Sequence, residues 1–267
     1  MKYSIVLSTH QTSFGAVAFK GGAAENIRLA AQAGYDGVEL AVRDASLVDA
    51  GEMKRAAEGE GVVIPAIGTG QMWGEEGLSL SAEDPQVRDR AVERIRQHVE
   101  LAAELDAVVI IGLVRGVKPE KGDHKTAEGW MTENLRKVSE SAEKRGVRIA
   151  VEAINRYETD YVNTAEDGLE LIDRVGSPSL GILLDTFHMN IEERDMAGSI
   201  RHVGDRLFHF HVADSNRWYP GAGHLDFPSI LEALFATGYE GFVSGEFMPM
   251  PDADTAAERG IAFLRAL

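Results

Sequence analysis

Short apolar runs rich in β-branched residues recur along the chain at intervals of about 30 residues, separated by longer amphipathic segments. The runs at 3–8 (YSIVLS), 36–41 (DGVELA), 62–67 (VVIPAI), 107–112 (AVVIIG), 147–152 (VRIAVE), 180–185 (LGILLD), 207–212 (LFHFHV) and 241–246 (GFVSGE) predict strands. Helices are predicted between them, near 23–33, 49–60, 84–104, 124–145, 165–175, 193–203, 227–237 and 252–266. The punctuation agrees. Asp84-Pro85 and Asp226-Phe227-Pro228 read as helix starts with proline in the first turn. Gly34, Gly61, Gly146 and Gly238 stand where a left-handed residue closes a last helical turn. Strict alternation without a linker, low-complexity stretch or charge block predicts a single-domain (β/α)8 TIM barrel over residues 1–267. An open doubly wound sheet alternates in the same way, but no glycine-rich phosphate loop follows the first run.

Composition narrows the function classes. The 267 residues suit one large barrel, and 43 Asp+Glu against 27 Lys+Arg give a net charge of −16. Such a surface repels phosphate backbones and anionic membranes, which argues against nucleic-acid and membrane partners. The absence of cysteine excludes disulfides, thiol nucleophiles and Cys-ligated metals. No stretch approaches the ~18–20 apolar residues of a membrane span. The opening MKYSIVLSTH reads as a strand and not as a signal peptide, so a cytoplasmic enzyme is expected.

In barrels of this kind the active site lies at the C-terminal ends of the strands. Strands five to eight end at Glu152, Asp185, His211 and Glu246, one βα unit apart, so three carboxylates and an imidazole are expected to converge. Charged carboxylates crowd together only around a cation, because like charges raise one another's pKa. An oxygen-rich set with a single His suits Mn²⁺, Mg²⁺ or Co²⁺. The rival reading, in which each acid merely caps the following helix, weakens when all four share one face. Asn155, Arg156, Glu158, His188, Asn216 and Arg217 follow these ligands by three to six residues, in the βα loops. His209 alternates with His211 and faces the same way, as a barrel-interior histidine or a ligand. Glu39 on strand two reads as a buried structural carboxylate. Trp73 after strand three could wall a sugar pocket or join the core, and Arg115 after strand four could bind an anion or lie on the surface.

The segments EAINRYETDYVNT (152–164) and LLDTFHMNIEE (183–193), with the ends of strands seven and eight, resemble the sugar isomerase/epimerase superfamily with a xylose isomerase-like barrel. Within it the chain is similar to the ketose 3-epimerases, the tagatose and psicose epimerases. The resemblance implies one divalent metal, usually manganese, on Glu152, Asp185, His211 and Glu246, with the two glutamates as acid and base. It implies substrate contacts from Glu158, His188 and Arg217, and a tendency to form a homodimer or homotetramer. The loop HVADSNRWYPGAGHLDF lacks the Gly-Glu that usually follows the metal His in those epimerases. With AIGTGQ (66–71), GLSLS (77–81) and VVIIGLVRG (108–116), it looks closer to the 5-keto-L-gluconate epimerases of bacterial inositol catabolism. On that likeness Arg115 would pair with a substrate carboxylate through a fork-shaped contact.

The reaction that the resemblance implies inverts the stereocentre next to the ketone of a ketose or keto-sugar acid, of the 5-keto-L-gluconate or D-tagaturonate type, through a metal-stabilised enediolate. Glu152 would act on one face and Glu246 on the other. The alternatives are a 3-epimerase of neutral ketoses, an aldose–ketose (hydroxypyruvate-type) isomerase and an inosose-type dehydratase. A barrel endonuclease would need more histidines and a basic surface. A sugar-binding barrel without activity is disfavoured by the intact ligand set.

Overall fold

The structure is a computed structural model that describes residues 1–118 and 123–267. Eight parallel strands, at Lys2–Ser8, Gly37–Ala41, Ala66–Gly68, Val108–Ile111, Ile149–Glu152, Leu180–Asp185, Leu207–Val212 and Phe242–Gly245, are hydrogen-bonded in chain order. The first pairs with the last, Tyr3 opposite Val243 and Ser4 opposite Ser244, so the sheet closes into a (β/α)8 barrel. A two-residue strand, Phe19–Lys20, adds to the rim of the first. The third strand is shorter than the apolar run predicted. Pro65 has no N–H to give to a ladder, so Val63 makes only an isolated bridge to Gly37 and regular pairing begins at Ala66.

All eight predicted helices are present, and aspartates start several of them. Asp84 accepts from Gln86 N and Asp226 from Ser229 N, each ahead of a proline in the first turn. Thr164 and Asp167 form a reciprocal capping box. Two further helices, Gly70–Glu76 and Thr186–Glu192, lie in segments predicted as loops. At seven residues each they are too short to carry a helical hydrophobic period, and both sit at the mouth of the barrel.

Alternation along the strands divides the core. Outward residues such as Ile5, Leu7, Leu40, Ile67, Val109 and Phe210 pack under the helices in one large cluster. Inward ones differ around the ring. Strands three to six contribute Ala66, Val108, Ile110, Ala150 and Leu183, a small apolar cluster at the barrel floor. Strands one, two, seven and eight instead turn Ser4, Glu39, His209 and Ser244 inward, all buried. The register slips between Ile182 and Leu183 against strand seven, and the extra residue there, Phe208, packs its ring on the apolar floor cluster. That ring occupies the space over Gly181, where any Cβ would collide with it.

Replacement of Gly181 by alanine should therefore strain this floor. The expected loss is about 1–3 kcal/mol, as for other overpacked cores. Denaturant unfolding of Gly181→Ala beside the parent checks it, and an unchanged midpoint would contradict the packing account.

Candidate active site and metal centre

The mouth gathers the strand-end residues at one point. One ligand atom from each of Glu152, Asp185, His211 and Glu246 lies within 4.8 Å of the others. His211 Nδ1 is 4.0 Å from Glu152 Oε1 and 3.9 Å from Glu246 Oε2, too far for hydrogen bonds. Glu152 Oε1, Asp185 Oδ2 and His211 Nδ1 are buried and have no hydrogen-bond partner. Buried polar atoms are seldom left in this state, and three of them aimed at one point fit a divalent cation. Asp185 combines both readings of a strand-end acid. Its Oδ1 accepts from Phe187 N at 2.8 Å and caps the helix Thr186–Glu192, while Oδ2 faces the cluster. Gly112 leaves room for Glu152, since a Cβ there would stand 2.8 Å from Oε2.

Electrostatics follow from this crowding. Burial, then the charge of Glu246, holds the Glu152 carboxyl well above the usual carboxylate range, with His211 acting against them. Asp185 is raised by burial, against the pull of His211 and Arg217. Burial pushes Glu246 up to about 7, opposed by the same two cations. For His211 burial works downward, but Glu39 beside its Nε2, with Glu246 and Glu152 beyond, lifts it to about 10.

Two loops add a polar ring. Asn155 donates to His188 Nδ1 at 2.7 Å and to Glu158 Oε1 at 3.0 Å. Burial, then Arg217, keeps His188 well below its ordinary pKa, so the ring is neutral. With Nδ1 accepting, the proton sits on Nε2, which faces Glu152 Oε1 at 3.7 Å and Asp185 Oδ2 at 4.0 Å. Arg217 donates to Glu158 Oε1 at 2.8 Å, reaches Glu246 Oε2 at 3.4 Å, and lies 4.8 Å from the centre of the Phe187 ring. Its backbone is left-handed at φ 61, and its carbonyl accepts from Met248 N. Asp214 fixes this loop by accepting from the amides of Ser215, Gly221 and Leu225.

A cavity of about 200 Å³ opens over the cluster. Glu152, Glu158, His188, His211, Arg217, Glu246 and Trp73 line it, so the structure brings together most of the residues singled out in the sequence. Arg115 differs. It is fully buried and absent from the lining, its guanidinium donating to the carbonyls of Gly112, Tyr161 and Val162. Its charge acts on Glu152 from behind, and burial lowers its own pKa to about 10. The expected contact with a substrate carboxylate is therefore not made available. Arg156 points away into a bidentate pair with Glu192, and Asn216 shapes its own loop through Trp218 N and Ala222 O.

Sequence reasoning missed the opposite wall. Thr12, Ser13 and Phe14 after strand one line the cavity with Glu75 of the helix Gly70–Glu76. Glu75 is held by Thr12 Oγ1 at 2.6 Å, Arg43 at 3.1 Å and His10 Nε2 at 3.3 Å. The sole signal was an aromatic and a carboxylate at strand-end loops.

Comparisons with known proteins agree with this architecture. Residues 27–267 match the family described as xylose isomerase-like TIM barrel. The chain is 33% identical to an L-ribulose 3-epimerase of Mesorhizobium japonicum, over 88% of this chain and 79% of that one. It is also 33% identical to a ketose 3-epimerase of Arthrobacter globiformis, over 82% and 76% respectively. The crystal structure of D-psicose 3-epimerase with D-tagatose from Clostridium cellulolyticum superposes with a TM-score of 0.84 at 27% identity, covering 100% of this chain and 99% of that one. The chain belongs to the xylose isomerase-like TIM-barrel family and, within it, to the ketose 3-epimerase group of carbohydrate isomerases.

Proposed function

We propose that this enzyme epimerises a free, neutral ketose at the carbon next to the ketone, with Glu152 and Glu246 as the paired acid and base and Mn²⁺ as the resident cation. The observation that carries the reading is the convergence of two carboxyls from strands five and eight on one small cavity. A bound divalent cation supplies Lewis-acid stabilisation of the negative charge that develops on the ketose oxygens. Glu152 and Glu246 stand on either side of strands six and seven, so one can take a proton from one face of the substrate carbon while the other returns one to the opposite face. Reversal of direction exchanges the two roles. The Nε2–H of His188 is aimed into the site, where it holds a substrate oxygen. Arg217 places its guanidinium between Glu158 and Glu246 and orients neighbouring hydroxyls, with Glu158 fixing it in place.

The choice of a neutral substrate rests on charge. Among the described residues lining the cavity the one Arg or Lys is Arg217, already matched by Glu158 and Glu246. Arg115 has its donors committed to carbonyls, and the far wall carries Glu75. Among the described residues of that lining, a keto-acid carboxylate would meet no Arg or Lys that is not already paired. The volume of about 200 Å³ is below the ~300–1,000 Å³ of pockets for drug-sized ligands, which suits a single sugar. The relatives that are L-ribulose and ketose 3-epimerases are in line with this class.

Proton NMR in D₂O with Mn²⁺ tests the reaction on L-ribulose, D-psicose, D-fructose and D-tagatose beside 5-keto-L-gluconate and D-tagaturonate. Deuterium should enter at the carbon next to the ketone as the epimer grows in, faster on a neutral ketose than on either acid. Exchange at C1 with an aldose product would mean an isomerase, and preference for an acid would overturn the neutral reading. Glu152→Gln and Glu246→Gln should each lower kcat by about 10²–10⁴-fold. Retention of activity within about tenfold by either would refute the two-base scheme. Metal affinity should also follow pH. Glu152, Asp185, Glu246 and His211 all hold protons more tightly than usual, and a cation must displace them, so the Mn²⁺ dissociation constant should fall from about pH 6 to about pH 8. Titration calorimetry reads this directly, and a pH-independent constant would contradict it.

A further inference from the structure

Glu39 lies in the middle of strand two and is almost wholly buried, far in sequence from every residue of the site. One of its oxygens, Oε2, receives two contacts: His209 Nε2 at 2.8 Å and His211 Nε2 at 3.0 Å. His209 and His211 are two apart on strand seven, so both rings point inward, meeting edge to face with centroids 5.2 Å apart. A carboxylate taken out of water survives only where donors surround it, and these two imidazoles are its partners. Gly68 opposite leaves space for the carboxylate, since a Cβ there would come no nearer than 3.8 Å to Oε1.

The consequence lies at the other edge of the His211 ring. With Nε2 directed at Glu39, Nδ1 is turned into the cluster, where it is buried without a partner between Glu152 and Glu246. A flipped ring would put a carbon at that point and lose the bond to Glu39. We propose that Glu39, steadied by His209, is a positioning residue for the divalent-cation site: it pins the Nε2 edge of His211 and leaves Nδ1 as the one nitrogen of that ring offered to the cation. The arrangement is a carboxylate–histidine–metal relay, in which the outer acceptor fixes ring orientation and raises the ligand's basicity. His209 belongs to the same device. It holds Glu39 in place and is not itself a ligand.

This inference rests on the reading of Glu152, Asp185, His211 and Glu246 as a divalent-cation site, and the test separates the two. Metal-free wild type and Glu39→Gln are titrated with Mn²⁺ by calorimetry, and thermal unfolding of both reports whether the variant is folded. The amide can keep an oxygen where Oε2 stands but carries no negative charge, so both imidazoles are held more weakly and the basicity that Glu39 lends to His211 is lost. The expected result is a dissociation constant about 10–100-fold weaker in a folded Glu39→Gln. Values within about threefold would overturn the positioning role while leaving the site intact. Failure of the wild type to bind Mn²⁺ would overturn both. Should Glu39→Gln not fold, nitrogen-15 NMR of histidine-labelled, zinc-loaded wild type decides the matter. A proton on His211 Nε2 with Nδ1 on the metal supports the proposal, and the reverse assignment overturns it.

Discussion

Three carboxylates drawn to one buried point repel one another, and much of the barrel mouth is arranged around that repulsion. Left alone, Glu152, Asp185 and Glu246 could not all ionise, because burial and mutual charge raise their proton affinity together. Positive charge reaches them from three directions. His211 stands among them with Glu39 behind it, Arg217 crosses above Glu246, and Arg115 acts on Glu152 from beneath. None of these fully neutralises the cluster, since all three carboxyls stay raised. The remaining demand for positive charge is what a divalent cation meets, and three orphaned buried atoms mark where it would sit.

Each compensating group is held by a local device. Arg217 occupies a left-handed backbone position, unusual for a side chain of its size, inside a loop fastened to Asp214 by three amides. Burial favours the neutral form of Asp214, yet those N–H groups outweigh it and hold its carboxyl below the usual range. Arg115 is locked by carbonyls contributed from residues 112, 161 and 162, which ties the loop after strand four to the loop after strand five. His188 depends on Asn155 for its tautomer, and Asn155 also steadies Glu158. The geometry of the candidate site is thus inherited from hydrogen bonds one layer back, the usual way in which a barrel's loops become rigid enough for chemistry.

The fold and the inner cluster were legible in the sequence because both are local signals. Alternation of apolar runs with amphipathic stretches gives strands and helices, and the acids and the histidine at or next to the strand ends, Glu152, Asp185, His211 and Glu246, could be located by spacing alone. What escaped depends on contacts distant in sequence or on elements too short to have a period. The seven-residue helices that carry Trp73, Glu75 and His188 read as loops. Arg115 looked free because its acceptors are backbone carbonyls 46 and 47 residues away, which no side-chain pattern reveals. Glu39 read as a structural acid, and its partners stand 170 and 172 residues further on.

The barrel mouth divides into two halves with different chemistry. Strands five to eight and their loops supply Glu152, Glu158, His188, His211, Arg217 and Glu246, whereas Val6, Ala41, Gly68, Ile110 and Leu113, with Phe14 and Trp73, give the other half an apolar surface interrupted by Glu39, Glu75 and a few neutral polar side chains. On the proposed reading, the reacting end of a ketose meets fixed donors and acceptors, and any misplaced hydroxyl there leaves a buried polar group unpaired. Such sites discriminate steeply. The far end meets apolar surface and the anchored Glu75, where one methylene more or less is worth only about 1–3 kcal/mol. Strictness about configuration near the ketone should therefore coexist with tolerance of chain length beyond it. The asymmetry follows from the ring order of the strands, since Glu152, Asp185, His211 and Glu246 come from four consecutive strands.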